Sequence, residues 1–160
     1  GSLGHGLPIS AGMAFAKKIK KELGNIYVMI SDGECQEGTT WETLLISAKH
    51  KLDNLIILVD YNKIQALTTL KDGLPLDSLF NKFKSFNCNV INIKNGHSFN
   101  EIKKGFLQIK KSKKPNVLIF NTIKGKGIKK FENDPVWHAR KLAGDEILIG
   151  KKSLGINFIK

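Results

Sequence analysis

The sequence predicts a doubly wound α/β fold, a mainly parallel sheet with helices on both faces, and three observations predict it. Four short apolar runs rich in β-branched residues recur, at residues 26–30, 55–59, 90–93 and 117–121, each reading as a strand buried on both faces. Segments with apolar residues at helical spacing alternate with them. Two of the runs are followed by an oxygen-bearing side chain, Asp32 after the first and Asn62 after the second. Parallel strands joined by a crossover helix would bring both to one carboxyl edge, where open α/β sheets bind ligands. A carboxylate and an amide oxygen at that edge are hard ligands suited to Mg²⁺ or Ca²⁺.

Each element has its own local signal. Gly1, Gly4 and Gly6 form a loop that lets backbone approach a ligand, and Pro8 suits the first turn of the helix after it. Ile9, Met13, Ala16, Ile19 and Leu23 keep helical spacing, with Gly24 as the stop. Ser31-Asp32-Gly33 ends the first strand. Thr39 or Thr40 is expected to cap a helix with Glu42 in its first turn, carrying Trp41, Leu44, Leu45 and Ala48 to about Lys51. The second strand ends in Asp60-Tyr61-Asn62, and residues 65–76 read as loop closed by Gly73 and Pro75. Asp77 is expected to cap a short helix bearing Leu79, Phe80 and Phe83. Asn95-Gly96 is the turn after the third strand, and Ser98 caps a helix carrying Ile102, Phe106 and Ile109 that ends before Pro115. From Lys129 the pattern loosens. The expected organisation is one domain over residues 1–142 and a tail or linker over 143–160.

Composition narrows the function classes. The 160 residues, 41% hydrophobic, are enough for one domain with a real core. No run reaches the length of a membrane span and no signal peptide opens the chain, so the expected address is cytoplasmic. Cys35 and Cys88 lie far apart without metal-ligand spacing and are read as free thiols. The formal charge of +12 invites a nucleic-acid reading, but Arg140 is the only arginine and the lysines are dispersed. Nucleic-acid recognition leans on arginine's planar fork, so no nucleic-acid partner is expected. Glu34, Glu37 and Glu42 crowd one turn-and-helix region, where carboxylates are either solvated or held near protonatable groups. His5 and His138 are acid–base candidates, while His97, between an Asn-Gly turn and a helix cap, reads as structural.

These residues carry a resemblance. SDGECQEGTTWE, followed some thirty residues on by YNKIQ, resembles the thiamine-diphosphate motif, normally Gly-Asp-Gly and then Asn. Its QEG, its Trp-Glu and its YNKIQ resemble the transketolase family in particular. GSLGHGLPISAGMA is similar to that family's loop-helix segment, and TIKGKGIKKFENDPVWH to its later cofactor loop and active-site histidine. The resemblance implies the thiamine diphosphate-binding fold and a role for each matching residue. Asp32, the Asn62 side-chain oxygen and the Ile64 carbonyl would bind Mg²⁺ or Ca²⁺, which would hold the cofactor's diphosphate. Gly33 would let backbone approach the diphosphate, and Gly1 and Leu3 would offer backbone groups to the aminopyrimidine ring. Lys124 would lie near the cofactor, and His138 would contact diphosphate or substrate and assist proton transfer. Glu37 and Glu42 match carboxylates placed between paired active sites. The implied chemistry is transfer of a two-carbon ketol unit between sugar phosphates, supported by the cofactor's thiazolium ring.

Two departures and a boundary qualify the match. Ser31 stands where the motif has its first glycine, and Ala139 where glycine usually follows the histidine. The family's substrate-binding histidines lie ahead of the matched region and its pyrimidine-binding domain lies after it. The expectation is therefore an N-terminal subunit of a two-chain enzyme, or a fragment of one, inactive without a C-terminal pyrimidine-binding partner and assembled as a homo-oligomer or heterotetramer. A deoxyxylulose-phosphate synthase or the alpha chain of a 2-oxoacid dehydrogenase shares the metal motif. A basic binding module without catalysis is the rival of another class.

Overall fold

A computed structural model describes residues 1–66 and 68–156. Leu67, in the expected 65–76 loop, and residues 157–160, in the expected tail, lie outside the described residues. Four strands form one parallel sheet in the order β1-β2-β4-β3. They are β1 (Ile26–Ser31), β2 (Leu55–Tyr61), β3 (Asn89–Ile93) and β4 (Asn116–Asn121), and each contains the run that predicts it. The helices of this part are α1 (Gly6–Ile19), α2 (Gly38–Lys49), α3 (Leu79–Ser85) and α4 (Phe99–Phe106). The expected doubly wound α/β architecture is observed.

The chain divides into two compact units. The first comprises residues 1–61 and 76–121, the second residues 62–75 and 122–160. In the first, strand alternation separates two cores. Val28 and Ile30 pair in register with Ile57 and Val59, which pair with Val117 and Ile119, and all six are buried. The helix α1 packs on this part of the sheet and against α2. On the opposite face Ile56, Leu118, Phe120, Ile91 and Ile93 form a cluster against which Ile102 and Phe106 of α4 pack, with Ile109 just past its end. Gly105 brings α4 close to β3: a Cβ there would sit 2.6 Å from Ile93 Cδ1.

Several local expectations are corrected. The strand β1 is buried on one face only, because α4 covers β3 and β4 but leaves Tyr27 and Met29, 53% and 69% exposed, on the sheet's edge. Two apolar stripes run along α1, and the one turned inward is Leu7, Ala11 and Ala14, since small residues let the helix approach the sheet. Ile9, Met13, Ile19 and Leu23, on the predicted stripe, are exposed. The helix ends before Gly24, with Lys21 already at φ +56. In α2 the inward residues are Thr40, Thr43, Leu44 and Ser47, while Leu45 is exposed. Its cap position is Glu37; Thr39 and Thr40 lie inside the first turn because their hydroxyls bond loop carbonyls instead. Ser78, at φ +50, precedes α3 in place of the expected Asp77. Ser98 caps α4 as predicted, its Oγ accepting from Glu101 N.

The second unit is mostly turns. Ile64 and Thr69 form an isolated antiparallel bridge, and Thr69 Oγ1 donates to Asp72. Short 3-10 turns occupy Lys129–Phe131 and Pro135–His138, the latter capped by Asp134, whose carboxylate accepts from Val136 N. Within residues 143–160, Asp145–Ser153 forms helix α5. Arg140 stacks 4.3 Å over Trp137 and ion-pairs with Glu146 on α5. Both cysteines are free, as expected, and both are buried.

Candidate functional site

The carboxyl edge of the sheet is built first by strand register. Ser31 of β1 stands opposite Asp60 of β2, and Asp32 N donates to the Asp60 carbonyl at 3.2 Å. Asp32 is therefore locked one residue beyond β1, where it is only 2% exposed. A buried carboxylate is expensive unless a cation or hydrogen bonds compensate it. Its field is visible in its neighbours. Burial, then the charges of Asp32 and Glu34, push the Cys35 thiol up to about 12. Burial, Asp32 and Asp77 likewise raise Tyr61 above its ordinary value.

After Asp32 the chain makes a 3-10 turn, Gly33–Gln36. Ser31 and Glu34 close it as a capping box: Glu34 N donates to Ser31 Oγ at 3.2 Å, and Ser31 N donates to Glu34 Oε2 at 2.9 Å. The serine that departs from the usual glycine thus has a local purpose. Thr40 Oγ1 donates to the Glu34 carbonyl at 2.6 Å and Trp41 Nε1 to the Cys35 carbonyl at 3.0 Å, tying the turn to α2.

The glycine loop is held against this turn. Gly4 N donates to Glu34 Oε1 at 3.3 Å, and Thr39 Oγ1 donates to the Gly4 carbonyl at 3.0 Å. Gly4 has φ +78, and a Cβ on it would lie 2.7 Å from Thr39 Oγ1 and 3.1 Å from the Glu37 side chain. No other residue fits that conformation and gap. Gly1 and Leu3 are exposed beside this clamp, and the His5 ring donates through Nδ1 to the Leu3 carbonyl at 3.2 Å. Glu37 is half-buried near Gly4, and Glu42 is exposed on α2. The first unit therefore brings Gly4, with Gly1 and Leu3 just before it in the chain, against the turn that holds Asp32, Gly33 and Glu37. The residue that sequence reasoning misses is Glu34 as a strut. Its signal is legible in the S-x-x-E spacing of Ser31 and Glu34.

The remaining predicted residues lie in the second unit. Asn62 directly follows β2, and its Oδ1 accepts from Ile64 N at 3.0 Å while Lys63 turns the chain at φ +67. That Asx turn fixes the amide oxygen. Lys124 is half-buried, and its carbonyl accepts from Asn133 N at 3.0 Å, which joins the Lys-Gly-Lys-Gly loop to the segment leading to His138. Gly125, at φ +73, faces the Phe131 carbonyl so closely that no Cβ would fit. His138 ends its 3-10 turn with an exposed side chain, and Trp137 before it packs on Phe131 at 4.2 Å. Trp137 Nε1 is a buried donor with no acceptor.

Among the described residues no group of three or more His, Cys, Asp or Glu side chains could hold a metal ion. A cation at the β1 edge would take one carboxylate, that of Asp32, from the first unit and otherwise non-carboxylate oxygens. That donor set suits a hard ion bound together with an anion. No helix among the described residues is long and apolar enough to cross a membrane.

Comparison with known proteins gives a family match. The profile described as transketolase, thiamine diphosphate binding domain, matches residues 1–160. An apulose-4-phosphate transketolase subunit of Actinobacillus succinogenes is 40% identical over 154 residues, 96% of this chain and 55% of that protein. The 6-deoxy-6-sulfo-D-fructose transketolase subunit of a Clostridium species is 38% identical over 143 residues, 89% of this chain and 52% of that protein. Among solved structures, transketolase from Campylobacter jejuni superposes with a TM-score of 0.89 at 30% identity, covering 98% of this chain and 26% of that one. The chain spans about half the length of the curated relatives it matches.

Proposed function

The chain belongs to the transketolase family, and from that premise we propose that it supplies the diphosphate-binding half of a two-chain enzyme. The reaction is thiamine diphosphate- and Mg²⁺-dependent transfer of a two-carbon ketol unit between sugar phosphates. The observation that carries this reading is the β1 edge: a buried Asp32 directly past the strand, with the glycine loop clamped to the same turn through Gly4.

Each residue has a part. Asp32, Asn62 through Oδ1 and Ile64 through its carbonyl hold Mg²⁺ or Ca²⁺; the fixed Asx turn at Asn62 supports this. One carboxylate alone binds such an ion weakly, so cation and diphosphate bind together. Gly33 gives backbone access to the diphosphate, and the loop bearing Gly1 and Leu3 meets the aminopyrimidine. The cofactor, when bound, supplies a ring that stabilises negative charge on carbon. Lys124 lies by the diphosphate. His138 holds or moves a proton at the substrate. Glu37 and Glu42 face a neighbouring site across the boundary between protomers.

The partner is a pyrimidine-binding chain. Relatives that are themselves named as transketolase subunits support that role. The assembly is a homo-oligomer or heterotetramer in the cytoplasm. The test is turnover of a ketose phosphate donor with an aldose phosphate acceptor, by the chain alone and by the chain co-purified with its partner. Activity only in the pair supports the reading. Turnover by the isolated chain contradicts the split site, and no turnover by the pair with any ketose donor contradicts the activity.

A further inference from the structure

We infer that Glu34 is a positioning residue for the cofactor ring, acting through the glycine loop and not through the metal. This rests on the functional reading above, since it concerns how the same site is held.

Nearly every polar group of Glu34 is engaged in holding two segments together. Oε2 accepts from Ser31 N at 2.9 Å and from Ser31 Oγ at 3.4 Å, which anchors the carboxylate to the end of β1. Oε1 accepts from Gly4 N at 3.3 Å, thirty residues away in sequence. The main chain of Glu34 is fixed as well: N donates to Ser31 Oγ, and the carbonyl accepts from Thr40 Oγ1 and from Glu37 N at 3.1 Å. A carboxylate receiving two backbone N–H groups makes charge-assisted bonds that fix geometry as well as energy. Thr39 grips the other side of the same residue through the Gly4 carbonyl. Gly4 is thus held from both faces by residues 34 and 39, one residue after Leu3. Whatever position the backbone of residues 1–3 takes toward a ligand is set by this clamp. Glutamine cannot replace Glu34, because its NH₂ would face one of the two backbone donors. Ser31 and Glu34 act as a pair, so the serine at the first motif position is part of the same device.

The inference separates two ligands. Thiamine diphosphate uses both the glycine loop and the metal edge; inorganic pyrophosphate with Mg²⁺ uses the metal edge alone. The experiment titrates both into the assembled two-chain enzyme carrying the wild-type, E34Q or T39V chain, with thermal unfolding alongside. E34Q is expected to raise the dissociation constant for thiamine diphosphate about tenfold, the size of a lost hydrogen bond to a charged group. T39V should raise it by a smaller factor without any change of charge. Mg²⁺–pyrophosphate affinity should stay within about twofold for T39V, whose bond to the Gly4 carbonyl does not reach the metal edge, and should fall less than thiamine diphosphate affinity for E34Q, which also loses its bond to Ser31 beside Asp32. Equal losses for the two ligands, or no loss for thiamine diphosphate, would overturn the inference. If E34Q does not fold, T39V decides by the same comparison. A wild-type enzyme that fails to bind thiamine diphosphate would overturn the functional reading and this one together, whereas normal wild-type binding isolates the failure to Glu34.

Discussion

Replacing Gly4 with alanine probes the clamp from the backbone side. The chain can keep the loop in place or release it. Keeping it puts a non-glycine residue at φ +78, about 1–2 kcal/mol, and adds the overlap of Cβ with Thr39 Oγ1 at 2.7 Å and Glu37 at 3.1 Å, about 1–3 kcal/mol. Releasing it gives up the bond to the Glu34 carboxylate, about 1.5 kcal/mol at a half-buried site, and the bond from Thr39, about 1 kcal/mol. Keeping it costs about 2–5 kcal/mol and releasing it about 2.5 kcal/mol, so the cheaper route sets the loss at about 2.5 kcal/mol. At about 2–4 °C per kcal/mol for a chain of this size, G4A should melt about 5–10 °C below wild type. Differential scanning calorimetry on the isolated chain measures this. Gly12 is the control: it lies inside α1 with nothing within 4 Å of an added Cβ, so G12A should gain up to about 1 kcal/mol from helix propensity. A G4A variant that melts with wild type would refute the clamp.

The remaining predictions concern packing, thiols and pH. G105A should destabilise by about 1–3 kcal/mol through its overlap with Ile93 Cδ1, and I93V, which removes that methyl, should recover part of the loss in a double-mutant cycle. Cys35 and Cys88, whose thiols burial holds near 12, should resist a thiol reagent at neutral pH until the chain is denatured. Glu146 is held below the usual carboxylate range, first by the Ala143 N–H and then by Arg140, and Glu132 by the Gly127 N–H and Lys126. A lowered folded pKa means stabilisation that is full above the ordinary glutamate value and lost as pH falls through the folded one. Amide protection factors in α5, taken relative to the intrinsic exchange rate at each pH, should therefore fall on acidification across that window, and E146Q should flatten the response.

The strands are legible in the sequence because each is a short, mainly apolar run rich in β-branched residues, even where one face stays exposed, as at Tyr27 and Met29 of β1. The side of α1 that turns inward is not, since both Leu7-Ala11-Ala14 and Ile9-Met13-Ile19 satisfy helical spacing, and only the neighbouring sheet selects the smaller residues. Capping at α2 escapes local reading for a related reason. Thr39 and Thr40 have the chemistry of caps, but their hydroxyls go to carbonyls at positions 4 and 34 that local sequence cannot reveal. At the site, Asp32 beyond β1 is legible from the end of an apolar run. Glu34 is half legible: its capping box with Ser31 is local, whereas its bond to Gly4 spans thirty residues. In the second unit, turns such as that of Asn62 and Ile64 are set by single side chains and left-handed residues, which periodicity does not register.

The central claim is that this chain presents a metal-assisted diphosphate site built on Asp32. The most direct measurement is calorimetric titration of thiamine diphosphate into the two-chain complex, with and without Mg²⁺, for wild type and D32A. Saturable binding that requires Mg²⁺ and disappears in D32A is the predicted result. Binding that is indifferent to Mg²⁺, or that survives D32A unchanged, would contradict the claim.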